Sequence, residues 1–155
     1  MCIRDRDIGY AKGRYLVHMF RHEYKKTVRY AETDKMGYLY YGHYAKYYEI
    51  GRVEALRFLG LSYRKMEDEL GIMLPVLSLE ARYKYPAYYD EELTIVTILK
   101  ELPNKMFNFH HNIINPNNKI INTAEVKLFN IDMKTGKRVD TPSFLIQKLK
   151  PYFEA

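Results

Sequence analysis

Asp34 is the residue of this chain whose neighbours best suit chemistry. It lies in the segment YAETDKMGYLYYGHYAKYYE, residues 30–49, where a carboxylate precedes a glycine turn and a tyrosine-rich stretch with helical spacing. The first turn of a helix presents unpaired backbone N–H groups and the positive end of the helix dipole, which can polarise a carbonyl group and stabilise an oxyanion. A carboxylate beside that turn can attack the carbonyl or direct water onto it. The pattern therefore favours reaction at a carbonyl carbon.

Plainer roles are open for the same residues. Asp34 could simply cap the turn, because Asp often accepts hydrogen bonds from the amides that follow it. Glu49 could be a second working carboxylate, but a Glu inside a helix more often pairs with a neighbouring cation, here Lys46 or Arg52. Aromatic side chains at helical spacing usually pack against a sheet, with a minority of them touching substrate. Four residues fall in that class: Tyr40, Tyr44, Tyr47 and Tyr48.

Other catalytic routes lack their motifs. The chain contains no G-x-S-x-G elbow, no P-loop, no G-x-G-x-x-G and no H-E-x-x-H. His110 and His111 are adjacent in a predicted strand, so their side chains should point to opposite faces and cannot both bind one metal ion. We therefore expect a reaction that needs no metal and no other cofactor.

The elements that must position the carboxylate can be predicted from periodicity. Residues 23–30, EYKKTVRY, have the β-branched and aromatic content of a first strand, and the turn after them leads into a helix predicted over Tyr40 to Leu59. Gly60 is a plausible stop for that helix. Ser62 is an N-cap candidate for a second, short helix that ends before Gly71.

The second half of the chain predicts a sheet. In residues 76–85, VLSLEARYKY, apolar and polar side chains alternate, which predicts a strand with one buried face. LPN and NPNN turns separate three further strands, over 92–100, 106–114 and 119–131. After a turn at DMKTGKR, residues 143–153 predict a short amphipathic helix or an irregular tail. This order is α+β, a curled antiparallel sheet around one long helix.

Composition limits the remaining possibilities. With 155 residues and 47% hydrophobic residues, the chain suits one domain, which we predict over residues 22–155, after a poorly ordered or non-native leader over 1–21. No stretch has the length of a membrane span or the character of a secretory signal, and Cys2 is the only cysteine, so a cytoplasmic protein is expected. The net charge of +6 favours anionic partners, but the cations are dispersed, which argues against nucleic acid.

Residues 30–49, with the Glu-Ile-Gly-Arg that follows at 49–52, resemble the active-site signature of the 4-hydroxybenzoyl-CoA thioesterase family, including its Tol-Pal-associated acyl-CoA thioesterases. The resemblance covers residues 24–153. It implies that Asp34, the Asp of the [DE]-T-D-x-x-G motif, is the nucleophile or general base. It also implies, by spacing, that the backbone amide of Tyr41 holds the oxyanion.

The family further implies a hotdog fold, in which a curved antiparallel sheet wraps a central helix, and homodimers that often pair into homotetramers with active sites at subunit interfaces. Gly37 would let the backbone approach the thioester, and Tyr40 and Tyr44 would frame the acyl pocket. Many members have a histidine where this chain has Tyr41, so any role of that imidazole is absent here, and His43 would face elsewhere.

The resemblance therefore implies an acyl-CoA thioesterase, with an acyl carrier protein as the alternative carrier. Arg82 and Lys84 could meet coenzyme A phosphates or could equally be the polar face of a sheet. A non-catalytic hotdog module that binds acyl-CoA is the main rival. A nucleic-acid-binding domain would instead place aromatic and cationic side chains on one sheet face, whereas the tyrosines concentrate in the predicted helix.

Overall fold

A five-stranded antiparallel sheet packs against one long helix in this computed structural model, which describes residues 18–154. The strands of the sheet are β1 (Phe20–Thr27), β3 (Val76–Tyr83), β4 (Glu92–Leu99), β5 (Met106–Ile114) and β6 (Ile120–Phe129). Their order in the sheet is β1-β4-β5-β6-β3, so β1 and β3 form the two edges. The helix α1 spans Tyr44–Phe58 and lies against β1, β4 and β5.

The predicted α+β class and the order of the main elements are confirmed. The first strand begins earlier than predicted, at Phe20, whose buried ring joins the core. Residues 1–17 of the predicted leader lie outside the residues that the structure describes. Two short strands that the sequence did not predict, β2 (Ile72–Met73) and β7 (Ile131–Asp132), form a separate ladder.

The first of the two smaller helices begins and ends where its sequence signals predicted. Helix α2 spans Tyr63–Leu70; the Ser62 hydroxyl accepts from the Lys65 amide at its start, and Gly71 follows its end with φ +64°. Helix α3 covers Ser143–Leu149 and resolves the predicted choice between a helix and an irregular tail. Within residues 18–154 none of the helices is long and apolar enough to cross a membrane.

The core lies between α1 and the inner face of the sheet. From α1, the buried side chains of Tyr47, Tyr48 and Leu56 face the sheet, while β5 alternates so that every second residue is buried, as a period of two requires. Because α1 has tyrosines where many helices have leucines, its buried hydroxyls need partners. Tyr48 finds one in the Asn122 side-chain oxygen and Tyr47 finds one in Glu32.

Gly51 allows α1 to approach the sheet closely. A Cβ at this position would lie 2.5 Å from the Thr97 hydroxyl oxygen and 2.8 Å from a methyl carbon of Ile95. Helix propensity alone predicts that Gly51→Ala stabilises α1 by about 1 kcal/mol. We expect the opposite result, a net loss of about 1–2 kcal/mol in the free energy of unfolding, because overpacking a core costs about 1–3 kcal/mol. Urea denaturation measures this free energy of unfolding, and a variant more stable than the wild type would contradict the close contact.

The prediction of a buried face on the strand at residues 76–85 is wrong for the single chain. Leu77 is 52% exposed, Leu79 is 41% exposed and Tyr83 is 51% exposed, although the strand itself forms as β3. The physical reason is position: β3 is the edge strand beside β6, and the helix that covers the sheet packs mainly against β1, β4 and β5, although Tyr44 at its start touches Tyr83. Alternation thus identified an apolar face but not what covers it.

Candidate active site

Asp34 lies at the start of a tight hairpin turn. Its backbone N–H donates to the Tyr38 carbonyl at 2.8 Å, and the Gly37 N–H donates to the Asp34 carbonyl at 3.0 Å. Thr33 and Leu39 pair across the hairpin as an antiparallel bridge. Gly37 has φ +81°, a left-handed conformation that side chains with a Cβ rarely adopt. The turn that the sequence predicted from Asp34 and Gly37 is therefore present, and the glycine is needed for its backbone conformation.

The Asp34 carboxylate uses one oxygen to hold this turn. Oδ1 accepts hydrogen bonds from the Met36 N–H at 2.9 Å and from the Tyr38 N–H at 3.1 Å. Its other oxygen has no hydrogen-bond partner among the described residues, and the side chain is partly exposed. The turn-capping role and a chemical role are thus compatible, because each occupies a different oxygen of the same carboxylate.

The helix that follows begins with an amide that has no acceptor among the described residues. A 3-10 turn over Tyr41–His43 leads into α1, and Tyr40 precedes it in an extended conformation without a side-chain cap. The His43 N–H donates to the Tyr40 carbonyl at 3.0 Å, whereas the Tyr41 N–H meets no acceptor within residues 18–154. An uncapped helix start of this kind offers a donor and a positive dipole end to an anionic oxygen.

Tyr40 and Tyr41 surround this helix start with exposed aromatic surface. Tyr40 is 43% exposed and Tyr41 is 65% exposed, so Tyr40 does not pack against the sheet in the core of the single chain. The Tyr40 ring lies across Gly42, where an added Cβ would come within 2.6 Å of the Tyr40 Cε1 atom. Gly42 therefore leaves room for the ring in this position, a contact that no sequence pattern indicated.

Tyr44 lies beneath this surface. It is 3% exposed and packs edge-on against Tyr83 of β3, with ring centroids 5.0 Å apart. Burial, with lesser effects of Tyr83 and Glu91, raises the pKa of the Tyr44 phenol to about 12, so this side chain is neutral at physiological pH. Tyr83 also donates from its hydroxyl to the Tyr41 carbonyl at 3.4 Å. The edge strand therefore touches the start of α1.

Glu32 is the residue of this region that the sequence reasoning missed. Its carboxylate is buried and contacts Lys26 and Lys46. The expected pairing of Glu49 with Lys46 or Arg52 is wrong: Lys46 pairs with Glu32, Arg52 is buried and donates to the Tyr63 hydroxyl, and Glu49 is exposed. Glu32 belongs to the same E-T-D pattern as Asp34, but the sequence reasoning assigned a role to the Asp alone.

The two adjacent histidines occupy opposite faces of β5, as predicted. His111 is fully buried beneath α1, while His110 lies on the outer face opposite Glu125 of β6. Among the described residues, no three His, Cys, Asp or Glu side chains gather in a group that could hold a metal ion. The chemistry that this site can perform with its own groups is carboxylate attack or base catalysis beside a helix N-terminus.

Comparisons with known proteins identify the family of this chain. Residues 28–149 match the model of a family described as the thioesterase-like superfamily. A Bacillus subtilis relative, a putative acyl-CoA thioesterase, is 30% identical over 72% of this chain and 80% of its own length. The acyl-CoA thioester hydrolase YbgC of Escherichia coli O6:H1 is 28% identical over 79% of this chain and 91% of its own.

Solved structures show the same likeness in three dimensions. A DHNA-CoA thioesterase from Staphylococcus aureus superposes with a TM-score of 0.73 and 32% sequence identity, over 77% of this chain and 80% of that one. The five-stranded antiparallel sheet with its long helix is thus the hotdog arrangement that the sequence predicted.

Proposed function

Because the chain belongs to the thioesterase-like superfamily, whose hotdog fold it has, and is a thioester hydrolase by that relationship, we propose that it hydrolyses acyl-CoA to a free acid and coenzyme A. The proposed catalytic group is the Asp34 carboxylate, and the proposed oxyanion donor is the Tyr41 N–H. One observation carries the proposal: among residues 18–154, a carboxylate with a free oxygen and an unpaired helix amide belong to the same short hairpin and helix start.

In the proposed mechanism the thioester carbonyl oxygen accepts a hydrogen bond from the Tyr41 N–H. Attack on the carbonyl carbon by Asp34, or by water that Asp34 deprotonates, forms a tetrahedral oxyanion which the amide and helix dipole stabilise. Collapse breaks the carbon–sulfur bond and releases the coenzyme A thiolate, which takes up a proton. In the covalent route water then cleaves the acyl anhydride and restores the carboxylate. Both routes consume one water molecule and use the same oxygen of the Asp34 carboxylate, the one that does not hold the turn.

The surroundings suit a substrate with a carrier and an acyl group. Gly37 and the exposed rings of Tyr40 and Tyr41 lie at the surface beside the hairpin, where they would meet the thioester and the adjoining chain. Tyr44, buried beneath them, would shape the pocket floor. The positive net charge favours the phosphates of coenzyme A, or an acidic acyl carrier protein as the alternative carrier.

We also propose that the enzyme is a homo-oligomer built on β3. This edge strand has no partner on its outer side among the described residues, and it exposes Leu77, Leu79 and Tyr83. A long apolar edge strand is a template for pairing, and an identical antiparallel copy would satisfy both edges by two-fold symmetry. Because Tyr83 touches Tyr41, such an interface would lie beside the proposed active site.

The oligomer makes a direct prediction. Light scattering at fixed protein concentration should give the mass of a dimer or tetramer for the wild type. Leu79→Asp on β3 should raise the dissociation constant at least tenfold, since burying an unpaired charge at a central apolar contact costs about 2 kcal/mol or more. Phe144→Asp, which changes an equally exposed apolar residue on α3, should leave the mass unchanged. A monomeric wild type would refute the interface.

The test of the proposed function is release of free thiol from a panel of short, long and aromatic acyl-CoAs and an acyl carrier protein thioester. Turnover of one class, with saturation kinetics, would support the proposal and identify the acyl group. Binding of acyl-CoA without turnover of any substrate would instead support the rival function, a non-catalytic acyl-CoA-binding module.

A further inference from the structure

The Glu32 side chain lies at the junction of three elements. Its Oε1 atom accepts from the Tyr47 hydroxyl and from the Arg29 N–H, both at 2.9 Å, and from the Lys26 ammonium at 3.1 Å. Its Oε2 atom lies 2.5 Å from the Lys46 ammonium. Lys26 belongs to β1, whereas Lys46 and Tyr47 belong to α1. One buried carboxylate therefore ties the end of β1 and the helix α1 to the connection between them.

The backbone of the same residue reaches the proposed active site on both sides. The Tyr40 N–H donates to the Glu32 carbonyl at 2.9 Å, which fixes the residue just before the proposed oxyanion donor. Asp34, at the start of the hairpin turn, lies two positions after Glu32. The side chain of Glu32 thus anchors a backbone segment that carries the proposed nucleophile or base at one end and holds the helix start at the other.

The charge of this carboxylate is strongly favoured. Burial would raise the pKa of Glu32, but the ion pair with Lys46 and the hydrogen bonds from the Arg29 amide, Lys26 and Tyr47 outweigh it and hold the pKa at about 2. Glu32 is 5% exposed and its carboxylate lies in a cluster with two lysines, so it is poorly placed to meet substrate. Its contacts are all with groups of the protein that fix position.

We infer that Glu32 is a positioning residue for thioester hydrolysis, which sets the Asp34 turn and the Tyr41 amide relative to each other by anchoring their shared backbone to α1. The inference rests on the proposed function. It implies that weakening the anchor lowers the rate of the chemical step more than it weakens substrate binding, since small displacements of a reacting group cost up to about a hundredfold in rate.

The experiment compares kcat and KM for Glu32→Gln, Tyr47→Phe and Glu54→Gln with the wild type. Glu32→Gln keeps the length of the side chain but removes its charge, and we expect kcat to fall about 10- to 100-fold with KM within about twofold. Tyr47→Phe removes one of the four contacts to the Glu32 carboxylate and keeps the aromatic ring on α1, so we expect a smaller fall in kcat. Glu54→Gln loses an ion pair with Arg57 elsewhere on α1 and should behave as the wild type.

If the wild type hydrolyses no thioester, the proposed function fails. A separate measurement then tests whether Glu32 anchors the backbone segment. Hydrogen exchange of the Tyr38 and Tyr40 amides, which donate to Asp34 and Glu32, should become at least about tenfold faster in Glu32→Gln and stay unchanged in Glu54→Gln. Unchanged exchange at both amides would overturn the inference. So would a loss of kcat that the unfolded fraction of each variant, measured by urea denaturation, accounts for in full.

Discussion

Asp34→Asn should lower kcat for thioester hydrolysis by about a thousandfold or more, with coenzyme A binding preserved. A positioned base or nucleophile contributes about two to four orders of magnitude, and an amide can neither accept a proton at neutral pH nor attack a thioester. The substitution suits the question because the turn itself should survive. The oxygen of an Asn side chain can still accept from the Met36 and Tyr38 amides, as the Asp34 Oδ1 atom does.

The chain offers a matched control for this substitution. Asp132 caps a second turn in the same manner, accepting from the Lys134 N–H at 2.8 Å and from the Thr135 N–H at 2.9 Å. Asp132→Asn should therefore change stability about as much as Asp34→Asn and leave kcat near the wild-type value. If the two variants retained activity equally, Asp34 would be a turn cap only, and the catalytic carboxylate would have to be sought elsewhere.

The local parts of the site followed from sequence because their causes are local. The turn at Asp34 needs a residue that tolerates positive φ, and Gly37 marks it; α2 begins at a Ser hydroxyl and ends before a left-handed Gly71. The start of α1 was less sharply predicted. Periodicity gave a helix from Tyr40, whereas a 3-10 turn over Tyr41–His43 comes first and leaves Tyr40 extended.

The nonlocal parts could not be predicted, for reasons that particular residues show. The anchor of Glu32 joins Lys26, Lys46 and Tyr47, which lie six to fifteen positions away, and no spacing rule connects a buried carboxylate to cations on two different elements. The need for Gly51 depends on Thr97. The apolar face of β3 is exposed because α1 packs mainly on β1, β4 and β5, a choice of strands that alternation within β3 cannot reveal.

The second large effect concerns acid stability and depends on His111. The imidazole is fully buried, stacks on Tyr48 with ring centroids 5.2 Å apart, and shares a hydrogen bond of 3.2 Å between Nδ1 and the Thr97 hydroxyl. Nε2 has no partner among the described residues. Burial, then the charges of Arg52 and His110, lower the pKa of His111 from 6.5 to about 3. The folded protein therefore holds this histidine in its neutral form.

The sign of the pH dependence follows from that lowered pKa. Above about pH 6.5 the histidine is neutral in the folded and unfolded chains, so the free energy of unfolding is at its full value. As the pH falls from 6.5 towards 3, the unfolded chain binds a proton at this histidine and the folded chain does not. The free energy of unfolding therefore decreases, by at most about 4–5 kcal/mol. Burial also lowers the pKa of His22 and of His110, and both add in the same direction.

Urea denaturation at pH 7 and pH 5, at one protein concentration, measures the effect. The wild type should lose about 2 kcal/mol or more of unfolding free energy between these values. His111→Gln should be less stable at pH 7 but should lose about 2 kcal/mol less on going to pH 5, because its amide does not titrate. Thr97→Val keeps the histidine while removing its hydrogen-bond partner, so the steep dependence should remain.

Comparison of the three slopes separates burial from hydrogen bonding as the cause. Glu32 does not interfere, because the stability that its pKa of about 2 provides is lost only as the pH falls below about 4.5, outside the measured interval. Equal slopes in the wild type and His111→Gln would mean that the imidazole reaches water or a counter-charge in the folded state, and the closely packed contact of α1 with the sheet at Gly51 would then be too loose to exclude a proton.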